Sequence, residues 1–254
     1  MTDIDSKERF SNRVENYTKF RPSYPAEAID CMISQTGINE SSVIADIGSG
    51  TGKFTRLLLE RGFSVLALEP NANMREAAEA ELSRFAGFRS VLASAESTTL
   101  DAHSVDLITV AQSFHWFDQE ICKAEFRRIL KSEGGHAALI YNRRETTPGL
   151  MGDYQEIIKK WYDDYSAGSA QEHITPAVYD AFFDGNYEIH NFFWRESHDF
   201  EALLGRSLSN SHAPTEGQPN YEPLRAALRE LFERYNENGL IYFSYKTEVV
   251  IGRW

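Results

Sequence analysis

Cysteine is almost missing from this 254-residue chain: Cys31 and Cys122 are the whole complement, and each stands in an apolar, helix-like stretch. Two isolated thiols form neither a disulfide framework nor a thiolate metal cluster, so both are expected as buried small side chains. Histidine is sparse as well: the seven present are scattered and no H-E-x-x-H occurs, so no metal site is expected. Positive charge is in deficit, 26 Lys and Arg against 38 Asp and Glu for a net charge of −12, and no Lys/Arg run stands out. Nucleic-acid affinity comes largely from cations that neutralise phosphates, so the balance argues against a nucleic-acid partner and for a small-molecule one. Long hydrophobic runs are absent too. Nothing approaches the roughly 20 apolar residues of a membrane span, and the polar opening MTDIDSKERF lacks a signal-peptide core. The expectation is a cytoplasmic protein without a membrane partner, a monomer or weak homodimer. With 42% hydrophobic and 25% charged residues the chain can bury a sizeable core as one domain carrying a cap.

What is present is concentrated in residues 43–55, VIADIGSGTGKFT. Val43, Ile44, Ala45 and Ile47 read as a buried parallel strand. Gly48, Gly50 and Gly52 break it, and Phe54, Leu57 and Leu58 then fall at helical spacing. Strand, glycine loop and helix N-terminus bring backbone N–H groups together where missing Cβ atoms let a ligand approach. A phosphate P-loop is excluded, because Ile47 and Phe54 occupy its required glycine and hydroxyl positions. A dinucleotide fingerprint is strained, since its last glycine position falls on Lys53 and the third glycine comes one residue early. A strand over 63–68 ends at Glu69, about 20 residues beyond the loop, where a carboxylate suits a ribose diol. That acid fits either cofactor type.

Along the rest of the chain, helical patterns cover 6–20, 25–37 and 73–85, the last with Asn73 at its cap. Strands are expected at 88–93, 106–111 and 136–142, with a helix capped by Asp118 before the last of them. From residue 143 the alternation stops. An aromatic amphipathic helix over 154–165, a polar loop through 175, strand character at 187–195, helices at 200–209 and 224–235 and a final strand at 241–254 follow.

Taken together, YTKFRPSYP, ADIGSGTGKFT, ALEPN, ASAES, AQSFHWFD and the terminal YKTEVVIGRW resemble the small-molecule class I S-adenosylmethionine-dependent methyltransferases, in particular the trans-aconitate methyltransferase-like branch. The resemblance implies an α/β, Rossmann-like, seven-stranded, mostly parallel sheet with an antiparallel last strand, an N-terminal helical lid (1–40), a cofactor-binding core (41–142), cap insertions (143–240) and a final strand (241–254). It implies S-adenosyl-L-methionine as cofactor, S-adenosyl-L-homocysteine as product, and methyl transfer to a small molecule. Cofactor contacts carried over are Asp46, Gly48, Ser49, Gly50 and Gly52 in the loop, Glu69, Pro70 and Met74 after the second strand, Ala95 and Glu96 for the adenine edge, Ala111 and Gln112 at the fourth strand's end, and Tyr17 and Arg21 in the lid.

Methyl transfer from a sulfonium is an in-line displacement whose leaving group is already activated, so orientation and water exclusion carry most of the work. Phe114, His115 and Trp116, at a strand end facing the crevice, and Arg143 and Arg144 are the substrate-binding candidates. His115 is the candidate general base for a phenol or amine acceptor. A carboxylate acceptor needs no base and asks for arginine forks, for which Arg21, Arg143, Arg144, Arg195 and Arg206 qualify. Trp161, Tyr162 and Tyr165 favour instead an aromatic or lipid-like acceptor. A non-catalytic cofactor-binding module and an NAD-dependent oxidoreductase are the alternatives from other classes.

Overall fold

The computed structural model describes residues 22–132, 134–145, 147–162, 173–210 and 212–254. The expected helix over 6–20, Tyr17, Arg21 and Tyr165 lie outside them. In chain order the elements are α1 (Ala26–Thr36), β1 (Val43–Ile47), α2 (Lys53–Leu59), β2 (Ser64–Leu68), α3 (Ala72–Leu82), β3 (Phe88–Val91), β4 (Leu107–Ala111), a 3-10 turn (Phe114–Trp116), α4 (Gln119–Ile129), β5 (His136–Arg144), α5 (Leu150–Trp161), α6 (Pro176–Phe183), β6 (Tyr187–His198), α7 (Phe200–Leu208), α8 (Tyr221–Tyr235) and β7 (Ile241–Gly252).

The seven strands form one sheet in the order β3-β2-β1-β4-β5-β7-β6. The pairs β2–β3, β1–β2, β1–β4 and β4–β5 are parallel, and the sheet has an antiparallel end, as the sequence leads one to expect. The order reverses between β1 and β4. In open α/β sheets that is where a crevice opens at the carboxyl ends of the strands.

The described residues divide into two compact units, one holding 23–142, 173–192 and 247–254, the other 143–162 and 193–246. In the first, strand side chains alternate between two apolar layers. Ala45, Ile47, Ile108, Val110, Leu139 and Tyr141 meet Phe126 and Ile129 of α4 and Phe182 and Phe183 of α6 on one face. Ile44, Val65, Leu107 and Ile140 meet Ile29 and Met32 of α1, Leu58 of α2 and Leu82 of α3 on the other. Burial on both faces explains why β1 and β4 read as near-continuous apolar runs. It also makes α1 a cover for the sheet. The second unit has its own core, in which Tyr154 and Ile158 of α5 pack with Leu203 of α7, Leu224, Leu228 and Leu231 of α8, and Phe243 and Tyr245 of β7. Asp153 ties α5 to α8 by accepting from Arg234 and from the Tyr235 hydroxyl, both at 2.9 Å.

Several element ends differ from the sequence expectation. The cap of α3 is Asn71 and not Asn73, because the Asn71 carboxamide oxygen accepts the Met74 N–H at 3.1 Å. Helix α5 starts at Leu150, four residues before the aromatic stripe begins, and α6 is an unexpected helix with Pro176 in its first turn. Asp118 caps α4 as expected, accepting from Ile121 N–H.

Candidate functional site

The glycine loop is held at the carboxyl ends of β1 and β2. Gly48 and Ser49 N–H both donate to the Leu68 carbonyl, at 2.9 and 3.0 Å, which folds the loop across the end of β2. Glu69, only 7% exposed, completes the fixation: one carboxylate oxygen accepts the Gly50 N–H at 2.9 Å and the other the Asn71 N–H at 2.8 Å. The carboxylate expected to read a ribose therefore also determines the shape of the loop. Pro70, half-buried, and the Asn71 cap lead from it into α3, which buries Met74.

Two loop glycines have separate reasons. Gly52, at φ +77°, is the N-cap of α2, and a Cβ there would lie 2.4 Å from Leu82 Cδ1 of α3, so the residue serves close helix packing. Gly50, at φ +58°, has no neighbour among the described residues nearer than Met74 Sδ, 3.9 Å from a Cβ. Here the absent side chain leaves room beside the loop. Between them the Thr51 hydroxyl is buried and has no hydrogen-bond partner among the described residues. Buried polar atoms are normally satisfied, so an orphaned hydroxyl in an anchored loop marks a place for a polar ligand.

Asp46 sits beneath the loop, buried, with its carboxylate accepting from the Thr55 hydroxyl of α2 at 2.5 Å and the Thr109 hydroxyl of β4 at 2.9 Å. Burial raises its pKa to about 6, against the lowering effect of the two threonine hydrogen bonds. These two hydrogen bonds hold β1, α2 and β4 together, a structural task. Thr55 and Thr109 escaped the sequence reading. The signal was a threonine nine residues after Asp46, one turn into the new helix.

From β4 the chain leaves through a strained residue: Gln112 has φ +62°, while its N–H donates to the Ile140 carbonyl at 2.9 Å. Ala111 precedes it, partly buried, and Ser113 follows, its hydroxyl donating to the Ile47 carbonyl at 3.1 Å. A Cβ on Gly48 would meet the Ser113 hydroxyl at 2.6 Å, so the two loops pack directly. Ser113 is a further site residue the sequence did not single out.

The aromatic cluster separates into different environments. Phe114, read from sequence as facing the substrate, is fully buried, its ring 4.6 Å from that of Phe182 and 6.2 Å from that of Phe117, so it is a core side chain. His115 donates its backbone N–H to the buried Tyr141 hydroxyl at 3.1 Å, and its Nδ1 lies 3.3 Å from that same oxygen. Trp116 is 49% exposed and its ring stands 4.8 Å from that of His115. Ala95 is buried in the core, and Glu96 accepts the N–H of Asp118 at 3.1 Å, serving the entry to α4. Asn142 ends this unit's part of β5. Its amide donates to the Ser23 carbonyl at 2.8 Å and its oxygen accepts from Thr247 at 2.6 Å. Arg143 and Arg144 belong to the second unit, where the Arg144 guanidinium lies 5.3 Å from the centre of the Tyr154 ring. Among the described residues no cluster of three or more His, Cys, Asp or Glu could hold a metal ion, and no helix is long and apolar enough to cross a membrane.

Comparison with known proteins bears on this site. Residues 45–138 match a family model described as a methyltransferase domain. An uncharacterized methyltransferase of Mycobacterium bovis is 37% identical over 149 residues, 59% of this chain and 58% of that protein. A methyltransferase-like protein of Schizosaccharomyces pombe is 32% identical over 162 residues, 63% of this chain and 61% of its own. The chain thus spans less than two thirds of the length of these relatives. Among solved structures, a type II methyltransferase from Anaeromyxobacter dehalogenans superposes with a TM-score of 0.61 at 20% identity, covering 92% of this chain and 98% of that one. A geranyl diphosphate C-methyltransferase from Streptomyces coelicolor, solved with S-adenosyl-L-homocysteine, gives 0.50 at 15% identity over 90% of this chain and 76% of its own. These structures share the fold, and the matched family covers the glycine loop, Glu69 and the Gln112 turn. None of these matches reaches the trans-aconitate methyltransferase-like branch.

Proposed function

We propose that this protein is an S-adenosylmethionine-dependent methyltransferase acting on a small organic acid, the crevice between β1 and β4 being its cofactor seat. The observation that carries the reading is the loop 48–52, fixed by Glu69 and lined by the orphaned Thr51 hydroxyl, at the point where strand order reverses. Gly50 leaves backbone open to the cofactor, Glu69 accepts from its ribose hydroxyls, and Met74 packs against its adenine. When bound, the cofactor supplies a methyl group already activated on a sulfonium. The chain's part is to orient the acceptor and exclude water, an effect of up to roughly 7–11 kcal/mol in well-oriented systems. A carboxylate acceptor is ionised at neutral pH and requires no proton removal. His115 then acts as a positioning residue, its backbone N–H anchored on Tyr141 so that the 113–117 turn stays against the glycine loop.

The test is calorimetric binding of S-adenosylmethionine and of NAD to the full chain, followed by transfer of a labelled methyl group to a panel of small organic acids. Binding of S-adenosylmethionine alone, with label recovered as a methyl ester, is the expected result. Preference for NAD would overturn the reading.

A further inference from the structure

His115 meets one phenolic oxygen twice. Its backbone N–H donates to the Tyr141 hydroxyl at 3.1 Å, which anchors the 113–117 turn, and its ring Nδ1 lies 3.3 Å from the same oxygen. The second contact decides where the imidazole proton sits. With the proton on Nδ1, two N–H groups compete for one oxygen and the phenol proton has to turn out of the pair. With the proton on Nε2, the oxygen accepts the backbone N–H and donates its own proton to the Nδ1 lone pair, so all three groups are matched. A phenol is also a stronger acid than a neutral imidazole N–H, which keeps the shared proton nearer oxygen.

Which nitrogen of a histidine carries the proton is set by the hydrogen bond of the other. Here that bond goes to Tyr141, a fully buried core side chain, and Nε2 lies at the opposite edge of the ring. His115 is half-buried, and its neighbour Trp116, with the two rings 4.8 Å apart, is 49% exposed, so this end of the turn is open to a ligand. Ser113, at the start of the turn, packs on Gly48 and donates to the Ile47 carbonyl. The imidazole therefore stands beside the glycine loop, and every residue of the arrangement belongs to the unit that holds 23–142. A ring in this state is not the general base expected from sequence, because Nε2 already holds a proton and the Nδ1 lone pair is engaged. It is a neutral hydrogen-bond donor. Such a donor suits an acceptor that is ionised beforehand, and it adds no second positive charge beside a sulfonium.

We propose that His115 binds the methyl acceptor, donating from Nε2 to one carboxylate oxygen while the other oxygen takes the methyl group, and that Tyr141 is the positioning residue that keeps the proton on Nε2. The assignment rests on the methyltransferase reading above. The transfer balances without a base: the O–CH3 bond forms as the S–CH3 bond breaks, the electron pair of the broken bond stays on sulfur, and carboxylate and sulfonium become neutral ester and thioether. The Nε2 proton stays in place.

The experiment has two readouts on the full chain. A nitrogen–proton correlation spectrum of the isotopically labelled protein at about pH 8, where an ordinary imidazole is neutral, reports the tautomer, with the His115 signal assigned by its loss in His115→Gln. A protonated Nε2 and a bare Nδ1 are expected in the wild type, and a mixture of tautomers in Tyr141→Phe. Calorimetry measures benzoate, hexanoate and succinate against benzamide, hexanamide and succinamide, with and without S-adenosylhomocysteine. The acids should bind more tightly than the matching amides. Their affinity should fall about tenfold in His115→Asn, whose amide reaches only the place of Nδ1, and about threefold or less in His115→Gln, whose amide N–H reaches that of Nε2, with S-adenosylhomocysteine affinity unchanged. A protonated Nδ1 in the wild type, no binding of any acid, equal binding of acids and amides, or equal acid binding by wild type and both His115 variants would overturn the proposal. If Tyr141→Phe does not fold, the two His115 variants decide. A wild type that binds S-adenosylhomocysteine but none of the acids removes this inference alone. One that binds the acids but no S-adenosylhomocysteine removes the methyltransferase reading and, with it, the acceptor assignment.

Discussion

Glu69 grips Gly50: the carboxylate at the end of β2 accepts the N–H of the middle glycine of the loop at 2.9 Å, and its second oxygen holds the Asn71 N–H at 2.8 Å. One side chain thus sets both the loop and the start of α3, and its effects on stability and on binding are linked.

Replacing Glu69 by Ala leaves two partly buried N–H donors without acceptors and is expected to cost about 1–3 kcal/mol of stability in urea unfolding. S-adenosylmethionine affinity should fall by about tenfold to a hundredfold in calorimetry. Glu69→Gln, which keeps one acceptor oxygen, should recover part of the stability and little of the affinity. Wild-type affinity in both variants would show that the carboxylate serves the loop alone.

The glycines should separate by mechanism. Gly52→Ala forces a Cβ to within 2.4 Å of Leu82 Cδ1 at φ +77°, for an expected loss of about 2–4 kcal/mol, part of which Leu82→Ala in the same chain should relieve. Gly50→Ala meets no close neighbour among the described residues and should cost only about 1 kcal/mol from its positive φ, while abolishing cofactor binding. Parallel losses of stability in the two variants would contradict the packing argument.

Asp46 should make stability fall as pH rises. Its carboxyl is raised from 3.8 to about 6, so between those values the folded state holds a proton that the unfolded chain has released. The penalty of ionising it is fully present above about pH 6 and vanishes below about pH 4, amounting to roughly 3 kcal/mol. Asp46→Asn should flatten this part of the profile and be at least as stable as the wild type at pH 7. Denaturant midpoints from pH 4 to 7 provide the check.

Glu125 has the opposite sign. The Arg128 guanidinium, followed by the Thr98 hydroxyl and N–H, holds its carboxyl at about 2, so its contribution is present above about pH 4.5 and is lost as pH falls towards 2. With Arg128 on the surface, screening limits the effect to about 1 kcal/mol. Glu125→Gln should lose that much at pH 7 and show a shallower acid limb.

Tyr141→Phe removes the hydroxyl that accepts the His115 N–H, inside a core position. A loss of about 1–2 kcal/mol is expected, with methyl transfer reduced through looser placement of the 113–117 turn and S-adenosylmethionine affinity changed little. An unchanged turnover number would remove the positioning role assigned to His115.

Much of this protein follows from sequence for a physical reason. Parallel strands buried on both faces must be apolar throughout, so β1, β2, β4 and β5 are visible as runs, and glycine is the residue that tolerates both the positive φ and the close packing between them. These constraints are local, and they carried the sheet, the glycine loop and the position of Glu69. The environment of each polar side chain is not local. That Asp46 turns inward to two threonines, that Phe114 belongs to the core while His115 leans on Tyr141, that Asn142 bridges Ser23 and Thr247, and that Arg206 lies buried beside Tyr245 depend on residues far apart in the chain. Sequence determined the buried parallel strands and the place of the glycine loop; tertiary structure decided which charges are satisfied, because a hydrogen-bond partner is chosen by proximity in space.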